Sequence, residues 1–171
     1  MASEFDRRDF FKAGALAGAG LVLRASTLSA IVTRPGTTPP PIQAKSLPVV
    51  RMGFVGVGGQ GTGHLRNFLG IDGVEVKAVC DTNPENLERA QKLVVEAGQP
   101  KPEGYSKSPT DWKRLCARKD IDLVFNATPW EWHVPVCVEA MNNGKHAATE
   151  VPAAVSIDEC WELVETSEKT G

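Results

Sequence analysis

No C-x-x-C pair occurs in this sequence, and its four cysteines, Cys80, Cys116, Cys137 and Cys160, stand 36, 21 and 23 residues apart. Such spacing argues against a zinc site and a disulfide framework, so no metal is expected. Each cysteine falls in a strand-like or helix-like stretch, where a thiol reads as a small buried hydrophobe. An excess of one charge is also missing: 19 Lys+Arg stand against 21 Asp+Glu, a formal net charge of −2, and the charges are dispersed. Without a basic stripe there is no nucleic-acid surface to propose. The mildly apolar stretch Ala13 to Leu23 is far shorter than the roughly 20 residues that span a bilayer, so no stable membrane anchor is expected. What is left is a chain of 171 residues, 42% hydrophobic, sufficient for one packed domain with appendages.

Glycine is not scarce. Within Gly53 to Gly63, Gly56, Gly58 and Gly61 satisfy G-x-G-x-x-G. Glycine triplets arise by chance in a chain with 16 glycines, so the context carries the reading. A β-branched strand candidate precedes the turn, a helix candidate follows it, and an acidic residue closes the next strand. In such a turn the first glycine permits the tight bend, the second lets backbone approach a pyrophosphate, and the third lets helix and strand pack closely. The helix N-terminus then offers free N–H groups to phosphate. A dinucleotide site is the reading; a Gly-rich turn of another α/β protein is the alternative.

The N-terminus reads as an address. Asp6-Arg7-Arg8-Asp9-Phe10-Phe11-Lys12 before a short Ala/Gly-rich stretch resembles a twin-arginine export signal, an ordinary basic leader being the alternative. Cleavage after Ala30 fits imperfectly, with Leu28 at the third position back. Residues 1–30 are assigned to the signal, and 31–48, with five prolines, to an extended tether. The protein is therefore expected in the periplasm or outside the cell, exported folded.

From Val49 to Gly171 strand-like and helix-like stretches alternate, as in an α/β fold of the Rossmann type, a doubly wound parallel sheet with crossover helices. Strands are expected at Val49 to Val55, Val74 to Cys80, Ile121 to Ala127 and Lys145 to Thr149, with a short edge strand near Tyr105. Helices are expected at Gly61 to Leu69, from the Asn83 cap to Gly98, and after Ser108-Pro109-Thr110-Asp111. Another carries Val134, Cys137, Val138 and Met141 on one stripe. The last starts at a capping box, Ser156-x-x-Glu159, and is expected to bury Ile157, Cys160, Trp161 and Val164.

Three groups of residues are placed for chemistry. Asp81 ends the second strand, 25 residues after Gly56, where a carboxylate accepts ribose hydroxyls and repels a 2′-phosphate. With no Arg immediately after it the cofactor reads as NAD; the alternative role is to cap the next helix. Thr128-Pro129-Trp130-Glu131-Trp132-His133 follows the fourth strand, at the sheet edge where open α/β folds bind ligands. Trp130 and Trp132 are candidate pocket walls or packing residues for a further domain, and His133 either contacts the cofactor or merely opens a helix. Glu150, after the fifth strand, faces the same crevice or is a solvated strand end. His64 and His146 are assigned no role.

The glycine turn, Asp81 with Asn83-Pro84, Asp120-Ile121-Asp122, Ala127-Thr128-Pro129 and Gly144-Lys145-His146 leading to Glu150-x-Pro152 resemble the Gfo/Idh/MocA oxidoreductases over residues 49 to 171. Ordinary members carry Glu-Lys-Pro where this chain has Glu150-Val151-Pro152, and the lysine serves the substrate hydroxyl. That departure, together with Thr128 to His133, is similar to glycoside hydrolase family 109, which includes secreted α-N-acetylgalactosaminidases. The resemblance implies NAD held by Gln60 and Gly61, Asp81, Trp130, Glu131, Trp132 and His133, and Glu150 and Val151, with Gly56 and Gly58 shaping the turn. It implies a sugar substrate, and hydrolysis by transient oxidation at C3, elimination and water addition with NAD recycled, outside the usual two-carboxylate scheme. It also implies a C-terminal α+β domain, absent from this chain, that supplies the catalytic residues and any homo-oligomer interface. The alternatives are a periplasmic NAD-dependent sugar oxidoreductase and a non-catalytic nucleotide-binding protein.

Overall fold

A computed structural model describes residues 47–171. The export signal and almost all of the tether lie outside the described residues. The elements run β1 (Val50–Val55), α1 (Gly59–Leu69), β2 (Val74–Cys80), α2 (Pro84–Glu96), β3 (Glu103–Tyr105) and α3 (Trp112–Cys116). Then follow β4 (Leu123–Asn126), a 3-10 turn (Trp130–Trp132), α4 (His133–Asn142), β5 (His146–Thr149) and α5 (Ile157–Thr170).

All five strands are parallel, in the order β3-β2-β1-β4-β5. The expected Rossmann-type sheet is therefore present. Alternate residues of the strands point to opposite faces and so feed two cores. Met52, Phe54, Val76 and Val79 meet Leu65 of α1 and Ala90 and Val94 of α2 on one face. Val55, Ala78 and Val124 meet Leu115 of α3 and Val136 and Ala140 of α4 on the other. Strand order reverses beside β1, so the turn after β1 and the loop after β4 flank the crevice where such sheets take ligands.

The local signals behave as their chemistry requires. Asn83 caps α2, its side chain accepting from Glu85 N at 2.9 Å, with Pro84 in the first turn. Ser156 and Glu159 close a reciprocal capping box on α5. Arg51 joins β1 to the start of β4: its backbone N and Nε donate to Asp122 Oδ2 at 2.9 and 2.8 Å, and Nη2 donates to Oδ1 at 2.6 Å.

Those bonds hold the Asp122 carboxyl below the usual carboxylate range. A depressed folded-state pKa gives stability that is complete above the unfolded value, near 4, and is lost as pH falls through the folded one. Asp122→Asn is therefore expected to lower the thermal midpoint at pH 7 by roughly 4 °C. Between about pH 4 and the lower folded value the gap to the unmodified protein should close, as thermal melts across that range would register.

Some boundaries and burials differ from expectation. Helix α1 starts at Gly59, not Gly61, because Thr62 N already bonds Gly58 O at 3.0 Å. Strands β1, β4 and β5 are shorter than expected by one, three and one residues; Val49 is exposed, while Ile121 and Lys145 are buried outside the ladder. On α4 the buried set is His133, Val134, Val136, Cys137 and Ala140, with Val138 and Met141 only half-buried. The larger correction concerns α5: Ile157, Trp161 and Val164 are 76%, 60% and 46% exposed, and Cys160 is exposed too. Helical periodicity identifies an apolar face but not what covers it, and α5 packs along α4, not on the sheet.

All four cysteines are free. Burial pushes the Cys80 and Cys116 thiols up to about 12 and that of Cys137 up to about 11. The thiolate is the reactive species, so one thiol per chain, Cys160, should react with a disulfide reagent at pH 8 in the folded protein. Four should react in denaturant. Rapid labelling of more than one in the native chain would contradict this packing.

Candidate cofactor site

The site is built from the glycine turn upward. Gly56 has φ of 81°, and a Cβ there would stand 2.7 Å from the Ala127 backbone carbonyl and 2.8 Å from Thr128 N. A Cβ on Gly61 would lie 1.9 Å from Gly56 O. Both positions therefore require glycine: one brings the turn against the loop after β4, the other seats α1 on the turn. Gly58 differs, with only Asn86 Nδ2 near its Cβ direction, at 3.8 Å. It is the N-cap of α1, without a side-chain cap bond, and the first turn holds no acidic residue. The leading N–H groups and partial positive charge of α1 thus face an open space, the arrangement that receives a pyrophosphate.

Asp81 sits beside this turn. Its Oδ2 accepts from Val57 N at 2.9 Å, while Oδ1 accepts from Asn83 N at 2.8 Å and Asn86 Nδ2 at 3.3 Å. The carboxylate therefore fixes the turn between Gly56 and Gly58 and supports the start of α2. The capping alternative read for Asp81 falls instead to Asn83, the N-cap of α2, which Asp81 supports through its bond from Asn83 N.

The opposite rim is wired by Asn126, fully buried at the end of β4. Its Nδ2 donates to the carbonyls of Trp132 and His133, both at 3.2 Å, and its Oδ1 accepts from Thr128 Oγ1 at 2.8 Å. His133 is buried too, with Nδ1 2.7 Å from Pro152 O and Nε2 2.9 Å from Thr128 O. Its ring thus ties the loop after β4 to the segment after β5, where the Val151–Pro152 peptide is cis. Trp132 packs its edge on Trp112 of α3, centroids 6.1 Å apart. Trp130 is 62% exposed, Glu131 is exposed, and Val151 is 79% exposed.

Glu150 leans across to α1, where its Oε1 pairs with His64 Nε2. Its own bond from Val151 N, then His64, and less strongly Gln60, keep its carboxyl below the usual range. The structure thus brings His64 to Glu150, and Asp81 to the turn between Gly56 and Gly58. Trp130, Glu131 and Val151 form the outer lip, and Trp132 and His133 form the support beneath it.

Three participants escape the sequence reading. His64 stands four residues after Gln60, hence on the same helical face, a spacing that could have flagged it. Asn126 is a lone polar residue ending the apolar run Leu123-Val124-Phe125, and a buried amide needs partners. Arg89 donates through Nη2 to Asn86 Oδ1 at 2.7 Å and to Val57 O at 3.3 Å, and no local pattern announces it. A surface recess bounded by Glu75, Lys77, Gln99 and Arg118 lies along the N-terminal half of β2, away from this site. Among the described residues no cluster of metal-ligating side chains occurs, and no helix is long and apolar enough to cross a membrane.

The turn glycines, the uncapped α1 and the placed Asp81 together fit a dinucleotide. A family description reading oxidoreductase family, NAD-binding Rossmann fold, matches residues 50–171. The chain belongs to the Gfo/Idh/MocA oxidoreductase family. NAD is its cofactor. Among curated relatives, a glycosyl hydrolase family 109 protein of Shewanella pealeana is 42% identical over 98% of this chain and 38% of its own length. An α-N-acetylgalactosaminidase of Bacteroides fragilis is 52% identical over 72% of this chain and 29% of its own length. The chain therefore spans well under half the length of these relatives. Among solved structures, the WlbA dehydrogenase of Bordetella pertussis with NADH and UDP-GlcNAcA is 26% identical, with a TM-score of 0.63 over 75% of this chain and 34% of that one. Myo-inositol 2-dehydrogenase of Lactobacillus plantarum is 25% identical, with a TM-score of 0.60 over 71% and 34%. The resemblance drawn from the Glu150-Val151-Pro152 departure thus agrees with the names of the curated relatives.

Proposed function

We propose that this chain is the NAD-holding part of an exported glycosidase that hydrolyses α-N-acetylgalactosaminides. The observation that carries the reading is Val151, exposed on the lip of the site where ordinary family members place the lysine that serves a substrate hydroxyl. The 52% identity to an α-N-acetylgalactosaminidase supports it. NAD, when held by the glycine turn, Asp81 and the Glu150 rim, would supply a hydride acceptor for oxidation of the sugar.

This chain's residues hold and orient that cofactor. Gly58, Gly59 and Gln60 present the N-terminus of α1 to the pyrophosphate, and Asp81 accepts from the adenosine ribose. Glu150, steadied by His64 and Gln60, sets the charge on the far rim. Trp130 and Trp132 shield the reacting end from water, and His133 keeps their loop in register with Val151 and Pro152. Acid/base groups come from a further domain, which would also form any homo-oligomer interface. The Arg7-Arg8 motif supports the twin-arginine route and a periplasmic or secreted location, and an NAD-binding domain suits a route that carries proteins already folded.

The test is an assay of the protein with that domain present. p-Nitrophenol should be released from the α-N-acetylgalactosaminide with no net NADH. The second reading, a periplasmic sugar oxidoreductase, rests on the dehydrogenases of the same fold; it predicts NADH accumulating with free sugar and no release.

A further inference from the structure

Two carboxylates flank the crevice, one at each end. Asp81 follows β2, Glu150 follows β5 and the glycine turn follows β1, so the sheet order β2-β1-β4-β5 puts the turn between the two acids. A dinucleotide whose pyrophosphate meets the start of α1 and whose adenosine ribose meets Asp81 has one direction left for its other half, across β4 toward Glu150. Asp81 is tied down by three donors. Glu150 has fewer ties: Val151 N donates to its Oε2 at 3.1 Å, and His64 Nε2 meets its Oε1. Among the described residues no lysine or arginine pairs with it, although Asp111, Asp120 and Asp122 each engage an arginine. Val151, next in the chain, puts methyl groups and not an ammonium on the lip. The bond from Val151 N, and then His64, nevertheless keep the Glu150 carboxyl below the usual range. A half-buried anion therefore stands at the rim without a resident lysine or arginine.

His64 is anchored from behind. Its ring packs on Phe125 of β4, centroids 4.9 Å apart, and Phe125 in turn meets Phe54 and Phe68 at 5.6 and 5.3 Å. A carboxylate only accepts, so the tautomer with the proton on Nε2 is the one that satisfies Glu150. The aromatic core thus fixes the imidazole, and the imidazole fixes the acid.

We propose that Glu150 is the counter-charge for an oxidised nicotinamide and that His64 is the positioning residue that aims it. The inference rests on the crevice being the NAD site, with the nicotinamide end at the β5 rim. An oxidised nicotinamide ring carries a positive charge that reduction removes, so an anion at that rim attracts one form of the cofactor and not the other. The pair thus biases the site toward the oxidised form, the one that takes a hydride. His64 acts only through Glu150: without its bond the carboxylate is free to turn into solvent, where its charge is screened.

The experiment is calorimetric titration of the purified protein with NAD and with NADH at pH 8, above the range in which imidazole ordinarily takes up a proton. The readout is the ratio of the two dissociation constants, which a partial loss of folded protein leaves unchanged. Glu150→Gln keeps the shape and removes the charge. It is expected to weaken NAD relative to NADH by about tenfold, equal to about 30 mV for a two-electron couple. His64→Leu should shift the ratio in the same direction, and His64→Gln, which keeps an N–H donor, should restore most of it. If His64→Leu does not fold, His64→Asn, whose amide stops short of the Nε2 position, replaces it. An unchanged ratio in Glu150→Gln overturns the counter-charge. Equal weakening of both cofactors in His64→Leu, or no rescue by His64→Gln, overturns the positioning role. If the unmodified protein binds neither cofactor, the NAD site itself is misplaced and the inference falls with it. Binding of both with a ratio that Glu150→Gln does not move removes this inference alone.

Discussion

Gly61→Ala is expected to unfold the glycine turn and abolish NAD binding. A methyl group there would stand 1.9 Å from Gly56 O and 2.9 Å from Gly56 C, and these are backbone atoms with no rotamer to escape into. Gly56 cannot yield, because its left-handed backbone is already pressed against Ala127 and Thr128. Relief therefore means lifting α1 from β1, which opens the core around Leu65 and Phe54. Alanine is a better helix former by about 1 kcal/mol, but a backbone clash of this size should cost on the order of 3–5 kcal/mol and decide the sign. Gly63, two residues on in the same helix, supplies the control. Nothing lies within 4 Å of its Cβ direction, so Gly63→Ala should stabilise by roughly 0.5–1 kcal/mol. Urea denaturation of both variants separates the cases; a Gly61→Ala protein as stable as Gly63→Ala would refute the packing described for the turn.

Asp81→Ala should weaken NAD binding by roughly 1–3 kcal/mol, the loss expected when a charge-assisted acceptor is removed. Two effects act in the same direction. The ribose hydroxyls lose their acceptor, and Val57 N loses the partner that holds the turn open for the pyrophosphate. Stability should fall less than affinity, because Asn83 still caps α2 through Glu85 N. Calorimetry giving unchanged affinity would remove the ribose from Asp81 and leave that residue with its structural bonds alone.

How far the sequence went is visible in particular residues. The parallel sheet follows from alternating buried runs and helical stretches, and the caps Asn83 and Ser156 were legible because such caps depend on neighbours within four positions. The glycine spacing was legible for the same reason. Long-range partners were not. Nothing in the one-dimensional pattern says that His64 reaches Glu150, 86 residues away, or that Arg89 folds back to Val57. His133 was read as a cofactor contact or a helix opener; its ring spans two carbonyls at the foot of the rim, bonds that depend on where the segment after β5 passes. The apolar face of α5 shows the limit from the other side: amphipathic spacing marked Ile157, Trp161 and Val164 as inward, yet no described element covers them. Their exposure and that of Trp130 and Val151 put much of the exposed apolar surface of the described residues on the last helix and the cofactor rim.

If the crevice between the glycine turn and the Trp130 to Glu150 rim holds a nicotinamide dinucleotide, titrating NADH into the purified chain will show it. Tryptophan is excited and nicotinamide emission is read. With Trp130 and Trp132 beside the nicotinamide end, energy transfer should rise and saturate at one NADH per chain. A signal that rises in proportion to added NADH without saturating, as free collision gives, would contradict it.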